Sequence, residues 1–193
     1  MKRILLLITV CLLVFNGFAQ ESNDNLKQFY RTIQGDYKAQ LNDSTSMTLH
    51  FTPIWEREND PFHWLYLEAV NNETKQIATQ NVLEIVPITD ITFNVIVYSL
   101  RSPQVFAGKW SNRSFFEGYN TKILKGKKKF VFLKTMDFEY QTGWNGRKSL
   151  TCFPKGDRVH FKFVQEDERL YIKRVPKGTS NIIGYTFFKE LTD

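Results

Sequence analysis

The chain has 193 residues, 26 basic against 20 acidic side chains, a net charge of +6 and 15% aromatic residues, with Phe alone contributing 17. That composition excludes a disordered or linker-like chain, and the length predicts a single domain. Two cysteines and three histidines are too few for a disulfide framework or a zinc finger.

Residues 1–19 have the form of a secretory signal. Lys2 and Arg3 precede an apolar stretch from Ile4 to Phe15, and Ala19 places a small residue before Gln20. The stretch is short for a transmembrane helix. The expected mature chain, residues 20–193, is one domain, periplasmic or secreted, with Cys152 as its only cysteine. Such a thiol is either buried and inert, or it is reactive or pairs between molecules.

Residues 22–33 read as a helix. Leu26, Phe29, Tyr30 and Ile33 recur at helical spacing, Ser22 or Asp24 can cap the start, and Gly35 ends it. Thereafter the period is two. Met47, Leu49 and Phe51 alternate with Thr48, His50 and Thr52. Trp64, Tyr66, Glu68 and Val70 share one face of the next run, and Leu65, Leu67 and Ala69 share the other. Strand-like runs continue at 81–86, 91–100, 130–134, 137–140, 159–164, 170–174 and 182–189. Turn signals separate them, among them Asn71-Asn72, Pro87, Lys125-Gly126, Trp144-Asn145-Gly146 and Pro176-Lys177-Gly178. Residues 111–124 form the one long irregular interruption, with room for a short helical turn.

About nine short strands behind one helix, with no crossover helices, predict a closed antiparallel sheet. A barrel of that size can enclose a small ligand. Met47, Leu49 or Phe51, Trp64, Tyr66 and several Phe residues are expected inside it. Alternation alone leaves open which face points inward.

Little in the sequence points to catalysis. There is no Gly-x-Ser-x-Gly elbow, and His50, His63 and His160 lie in separate segments without metal-ligand spacing. No metal site is expected. His50 and His160 occupy polar slots of alternating strands and are expected to face solvent. The run Lys125-Gly126-Lys127-Lys128-Lys129 is expected to be a solvated hairpin turn, with phosphate or anionic-lipid attachment as its functional alternative. No nucleic-acid partner is expected. The informative group is Glu68, a carboxylate beside Trp64 and Tyr66, with Trp55, Tyr140 and Trp144 available as flat walls. It is either exposed, or buried with a partner or a ligand, because an unpaired buried charge is costly.

Several short motifs in order resemble the CpcT/CpeT-type chromophore lyases. They are Gly35-Asp36-Tyr37 after the helix, Leu49-His50-Phe51-Thr52-Pro53-Ile54-Trp55, Trp64-Leu65-Tyr66-Leu67-Glu68-Ala69, Gln80-Asn81-Val82, Trp144-Asn145-Gly146 before Cys152, and Gly184-Tyr185-Thr186-Phe187-Phe188-Lys189. The chain departs from the family's pattern at four places: no Gly-Cys stands near Thr135-Met136, Ala69 follows Glu68 where the family has Gln, and two further motifs differ. Thr79-Gln80-Asn81 stands where the family has Arg-Gln-Arg, and Ile172-Lys173-Arg174-Val175 where it has Trp-Asp-Arg-Gly. Both guanidinium groups suited to bilin propionates are therefore missing from the first motif, although Lys173, Arg174 or Lys148 can substitute.

The resemblance implies a mainly β, calycin- or lipocalin-like antiparallel barrel with an N-terminal helix. It implies a bilin-like or other extended hydrophobic ligand held in that barrel by Trp55, Trp64, Tyr66, Glu68, Gln80, Tyr140, Trp144 and Arg174. Glu68 would be the candidate catalytic group, as a proton donor or a pyrrole hydrogen-bond partner, and a protein carrying an acceptor cysteine would be the partner. No separate cofactor is implied, since the tetrapyrrole is the ligand. The other readings are an exported, non-catalytic barrel binding a lipid or another small hydrophobic molecule, and a barrel whose interior is packed full.

Overall fold

The computed structural model describes residues 24–56, 63–136, 139–143 and 157–190. The signal-like segment, Trp144, Lys148 and Cys152 lie outside these residues. Residues 24–33 form a helix, α1, and Gly35 begins the first strand directly after it. Ten strands follow: β1 (Gly35–Asn42), β2 (Thr45–Ile54), β3 (His63–Asn71), β4 (Ile77–Thr89), β5 (Thr92–Leu100), β6 (Leu124–Met136), β7 (Glu139–Thr142), β8 (Arg158–Val164), β9 (Arg169–Val175) and β10 (Ile183–Glu190). Each pairs antiparallel with its sequence neighbour, and β1 pairs with β10 to close the barrel. The architecture is the closed antiparallel sheet that alternation predicts, with an N-terminal helix, and its barrel is calycin-like as the resemblance implies.

The strand that pattern reading misses is β1. Only Tyr37 and Ala39 of its residues are buried, so its apolar signal is too thin to register. Two turn signals also prove to be strand irregularities. Pro87 sits inside β4 where the β4–β5 register shifts, and Gly126 sits inside β6 at a second shift. Proline and a glycine at φ +56° are what such bulges tolerate. The lysine run is therefore part of a strand and not a hairpin turn.

Inward-facing residues from all ten strands make one apolar core, and α1 contributes Leu26, Phe29, Tyr30 and Ile33 to it. The helix lies across one end of the barrel. Its Phe29 is fully buried, with ring centroids 4.7 Å from Phe93, 5.3 Å from Phe132 and 4.7 Å from Tyr140. Contacts at these separations are those of close-packed aromatic side chains. That end of the interior is occupied by the protein's own phenylalanines.

Met47, Leu49 and Phe51 do point inward, as expected, but Trp64 and Tyr66 do not. Leu65, Leu67 and Ala69 face the core, which puts Trp64, Tyr66, Glu68 and Val70 on the outer wall. The reason is a second cover. Residues 101–123, between β5 and β6, fold back over the outside of β2–β4 as a strap containing the 3₁₀ turns Pro103–Val105, Arg113–Gly118 and Thr121–Ile123. Phe106 and Phe116 of the strap pack on Ile54, Tyr66, Val82, Leu100 and Leu124 in a second apolar cluster. Asn112 and Asn120 cap two of these turns by accepting from Phe115 N and Lys122 N.

If Phe29 is the plug of the barrel, Phe29→Ala destabilises the fold by about 3–5 kcal/mol, the range for truncating a buried Phe. Urea unfolding measures this; a loss below about 1 kcal/mol means that the site collapses freely and the helix is not wedged into the barrel.

Candidate functional site

Cross-strand register sets four polar residues in a row on the outer wall. Asp36 of β1 pairs with His50 of β2, His50 with Glu68 of β3, and Glu68 with Gln80 of β4. All four side chains point away from the core, and the strap closes over the middle of the row. Glu68 is 1% exposed. Of the two readings open for it, burial is the correct one.

Its partners are hydrogen-bond donors. Gly108 of the strap donates its backbone N–H at 3.0 and 3.2 Å from the two carboxylate oxygens. The Tyr66 hydroxyl lies 2.6 Å from Oε2, and Gln80 Nε2 donates at 3.3 Å to the same oxygen. Gln80 also donates to the Tyr66 hydroxyl at 2.8 Å, and that hydroxyl lies 2.9 Å from the Phe106 carbonyl oxygen. Among the described residues, no lysine or arginine forms an ion pair with Glu68. Burial, reinforced by the Glu68 hydrogen bond, holds the Tyr66 phenol protonated well above its ordinary range. Gly108 has φ +70°, a conformation open to glycine at little cost.

His50 is likewise covered. It is 7% exposed, stacks on Trp110 with ring centroids 3.7 Å apart, and its Nδ1 lies 2.9 Å from Asp36 Oδ1. The expectation of a solvent-facing histidine fails here because the strap, not water, covers this slot. His160 is half-buried, with its pKa lowered chiefly by burial. Two more bonds fasten the strap: Thr52 Oγ1 donates to the Trp110 carbonyl at 2.8 Å, and Trp55 Nε1 to the Phe116 carbonyl at 2.8 Å.

The structure thus brings together Trp55, Trp64, Tyr66, Glu68 and Gln80, but on the outer wall. Two other candidates are elsewhere. Tyr140 is inside the barrel against Phe29. Arg174 is on β9, where its Nη1 lies 3.4 Å from the buried Asp157 carboxylate and its guanidinium lies over the Tyr185 ring. Both are drawn into local packing by strands far from β3. Trp144, the remaining wall candidate, falls outside the described residues.

Among the described residues, Phe29, Phe93, Phe132 and Tyr140 line none of four well-formed surface cavities. The largest of these four, about 550 Å³, is a cleft on the outer wall beside the end of the strap. Trp64, Glu84, Tyr98, Thr121, Leu124, Lys125, Gly126 and Lys127 form it. Trp64 and Tyr98 make its aromatic wall, with ring centroids 6.0 Å apart. The Tyr98 hydroxyl donates to Glu84 Oε2 at 2.7 Å, and burial followed by that bond raises its pKa to about 12. Lys125 and Lys127 are exposed at the rim. Trp55 lines a neighbouring cavity of about 370 Å³ with Glu56, Arg113 and Glu117. A 550 Å³ cleft is within the usual size range of small-molecule sites.

Sequence reasoning misses Tyr98, Glu84, Lys125 and Lys127. The first two lie within strand-like runs and carry no motif, and the lysines read as a turn. No protein-family model matches the chain, and no curated protein sequence matches it either.

Replacing Glu68 by Ala leaves the Gly108 N–H buried without an acceptor, a loss of about 1–3 kcal/mol. Hydrogen exchange at Gly108 and at the Trp55 indole is expected to accelerate together. Unchanged exchange at both sites means that the carboxylate does not hold the strap.

Proposed function

We propose that this protein is a non-catalytic binding barrel whose ligand lies in the outer cleft between Trp64, Tyr98 and the β6 lysines. The observation that carries the reading is the composition of that cleft. It joins two aromatic faces, the apolar Leu124 and two exposed ammonium groups in one concavity of about 550 Å³. Such a surface suits an extended or flat apolar molecule bearing a carboxylate. The rings contribute contact area, and Lys125 and Lys127 outnumber Glu84 as charges. A fatty acid and a tetrapyrrole with propionate arms both meet this description.

Binding within the barrel is less favoured, because Phe29 and its neighbours take up the helix end of the interior. Bilin transfer is the second reading. In its favour, Tyr66, Glu68 and Gln80, three positions on which the resemblance rests, stand together in one hydrogen-bonded group. Against it, that group bonds to the strap instead of facing a cavity, so Glu68 is not placed to give a proton to a ligand. Its role is better described as positioning the strap that forms one side of the cleft.

Titration with the fluorescent polyene cis-parinaric acid, and separately with biliverdin, tests the site. Saturable binding is expected for at least one of them. Trp64→Ala is expected to weaken it about 2–10-fold through the lost aromatic face. Lys127→Glu is expected to weaken it by a similar factor. Binding that neither variant alters places the ligand elsewhere, and transfer of phycocyanobilin to an apo-phycobiliprotein reinstates the lyase.

A further inference from the structure

Strand β6 carries a pattern that the cleft does not use up. Lys127, Lys129, Val131 and Leu133 share its outer face, while Lys125, beyond the bulge, pairs with Ser99 and does not. At the rise of an extended strand the outer-face set is a strip about 20 Å long with ammonium groups at one end and aliphatic groups at the other. Lys125, Gly126, Lys127, Lys128 and Lys129 are all exposed, and none of the four lysines forms an ion pair among the described residues.

The apolar end is widened by the adjoining hairpin. Leu133 pairs with Thr92 at the start of β5, and Lys134 N donates to the Ile91 carbonyl at 2.8 Å. Ile91 and Ile88 of the β4–β5 turn are 48% and 49% exposed, Val131 is 45%, Leu133 43% and Met136 67%. Aliphatic side chains gathered to this extent are what a water-exposed surface normally avoids. Asp90, half-buried, lies between the two isoleucines.

We propose that this strip, Lys127, Lys129, Val131 and Leu133 with Ile88 and Ile91 beside it, docks the protein on an anionic lipid bilayer. The argument is charge complementarity joined to exposed aliphatic surface. A row of unpaired like charges repels itself in the free molecule, and phosphate headgroups relieve that repulsion. The aliphatic end enters the region between headgroups and acyl chains. A nucleic acid would also meet the lysines, but it has no use for a cluster of exposed aliphatic side chains, and the strip offers no aromatic ring for stacking on bases. The proposal stands apart from the cleft ligand, since Lys129, Val131, Leu133, Ile88 and Ile91 do not line the cleft.

The test is co-sedimentation of the folded protein with vesicles of phosphatidylcholine alone and of phosphatidylcholine with phosphatidylglycerol in equal parts. Binding is expected only to the anionic vesicles, falling as salt rises. Each lysine at an anionic surface contributes about five-fold in affinity, so Lys129→Glu is expected to weaken binding at least about five-fold. Ile91→Ser combined with Leu133→Ser is expected to weaken it several-fold while leaving cis-parinaric acid titrations unchanged. Thermal melts of these surface variants show whether they fold as the wild type does. No binding to anionic vesicles overturns the proposal. So does equal binding to neutral vesicles, indifference to Lys129→Glu, or tighter binding to a DNA duplex than to lipid in the same buffer.

Discussion

A carboxylate buried in the wall of a β-barrel imposes the main constraint on this molecule. Glu68 faces outward from β3, yet it is almost completely covered. Among the described residues it has no cation, so hydrogen bonds must replace its lost hydration. One of its donors lies on β4, one on its own strand, and one in residues 101–123. The bond to Gly108 ties the strap to the barrel. Once the strap is down, Trp110 covers His50, Phe106 and Phe116 cover Tyr66, and the end of the strap forms a side of the outer cleft.

The wall around β3 is consequently covered on both sides. Inside, Leu65 and Leu67 meet the core that α1 completes. Outside, Tyr66 meets the strap. This two-sided burial has a functional consequence, because it moves the accessible aromatic surface from the interior to the outer rim. Trp64 and Tyr98 are left partly uncovered where the strap ends and β6 begins. The lysines of β6 are beside them for a geometric reason: the bulge at Gly126 keeps the run in the strand, so its charges lie along the wall.

Much of this was legible in the sequence, and the parts that were not have identifiable causes. The helical spacing of Leu26, Phe29, Tyr30 and Ile33 identified α1, and the alternation around Leu49 and Phe51 identified an inward face. Alternation failed at β3 because both of its faces are apolar and both are buried. A pattern of period two cannot rank Trp64 and Tyr66 against Leu65 and Leu67 when each set has its own cover. His50 was misassigned for the same reason, since nothing local announces a strap that arrives from sixty residues away at Trp110. Within the candidate site, Tyr66, Glu68 and Gln80, which motif order groups, stand together in one hydrogen-bonded group. Tyr140 and Arg174 lie apart from that group, because residue type does not encode which side of a closed sheet a residue faces. Lysines next to glycine read as a turn, and a β-bulge uses the same residues.

The central claim is that ligand binding takes place on the outer wall and not within the barrel. It is tested most directly by backbone and side-chain NMR spectra of the folded protein during titration with cis-parinaric acid. The account predicts shifts at the Trp64 indole, Tyr98 and residues 124–127, with the aromatic signals of Phe29, Phe93 and Phe132 unmoved. Shifts concentrated on those three phenylalanines, with the Trp64 indole unchanged, would contradict it.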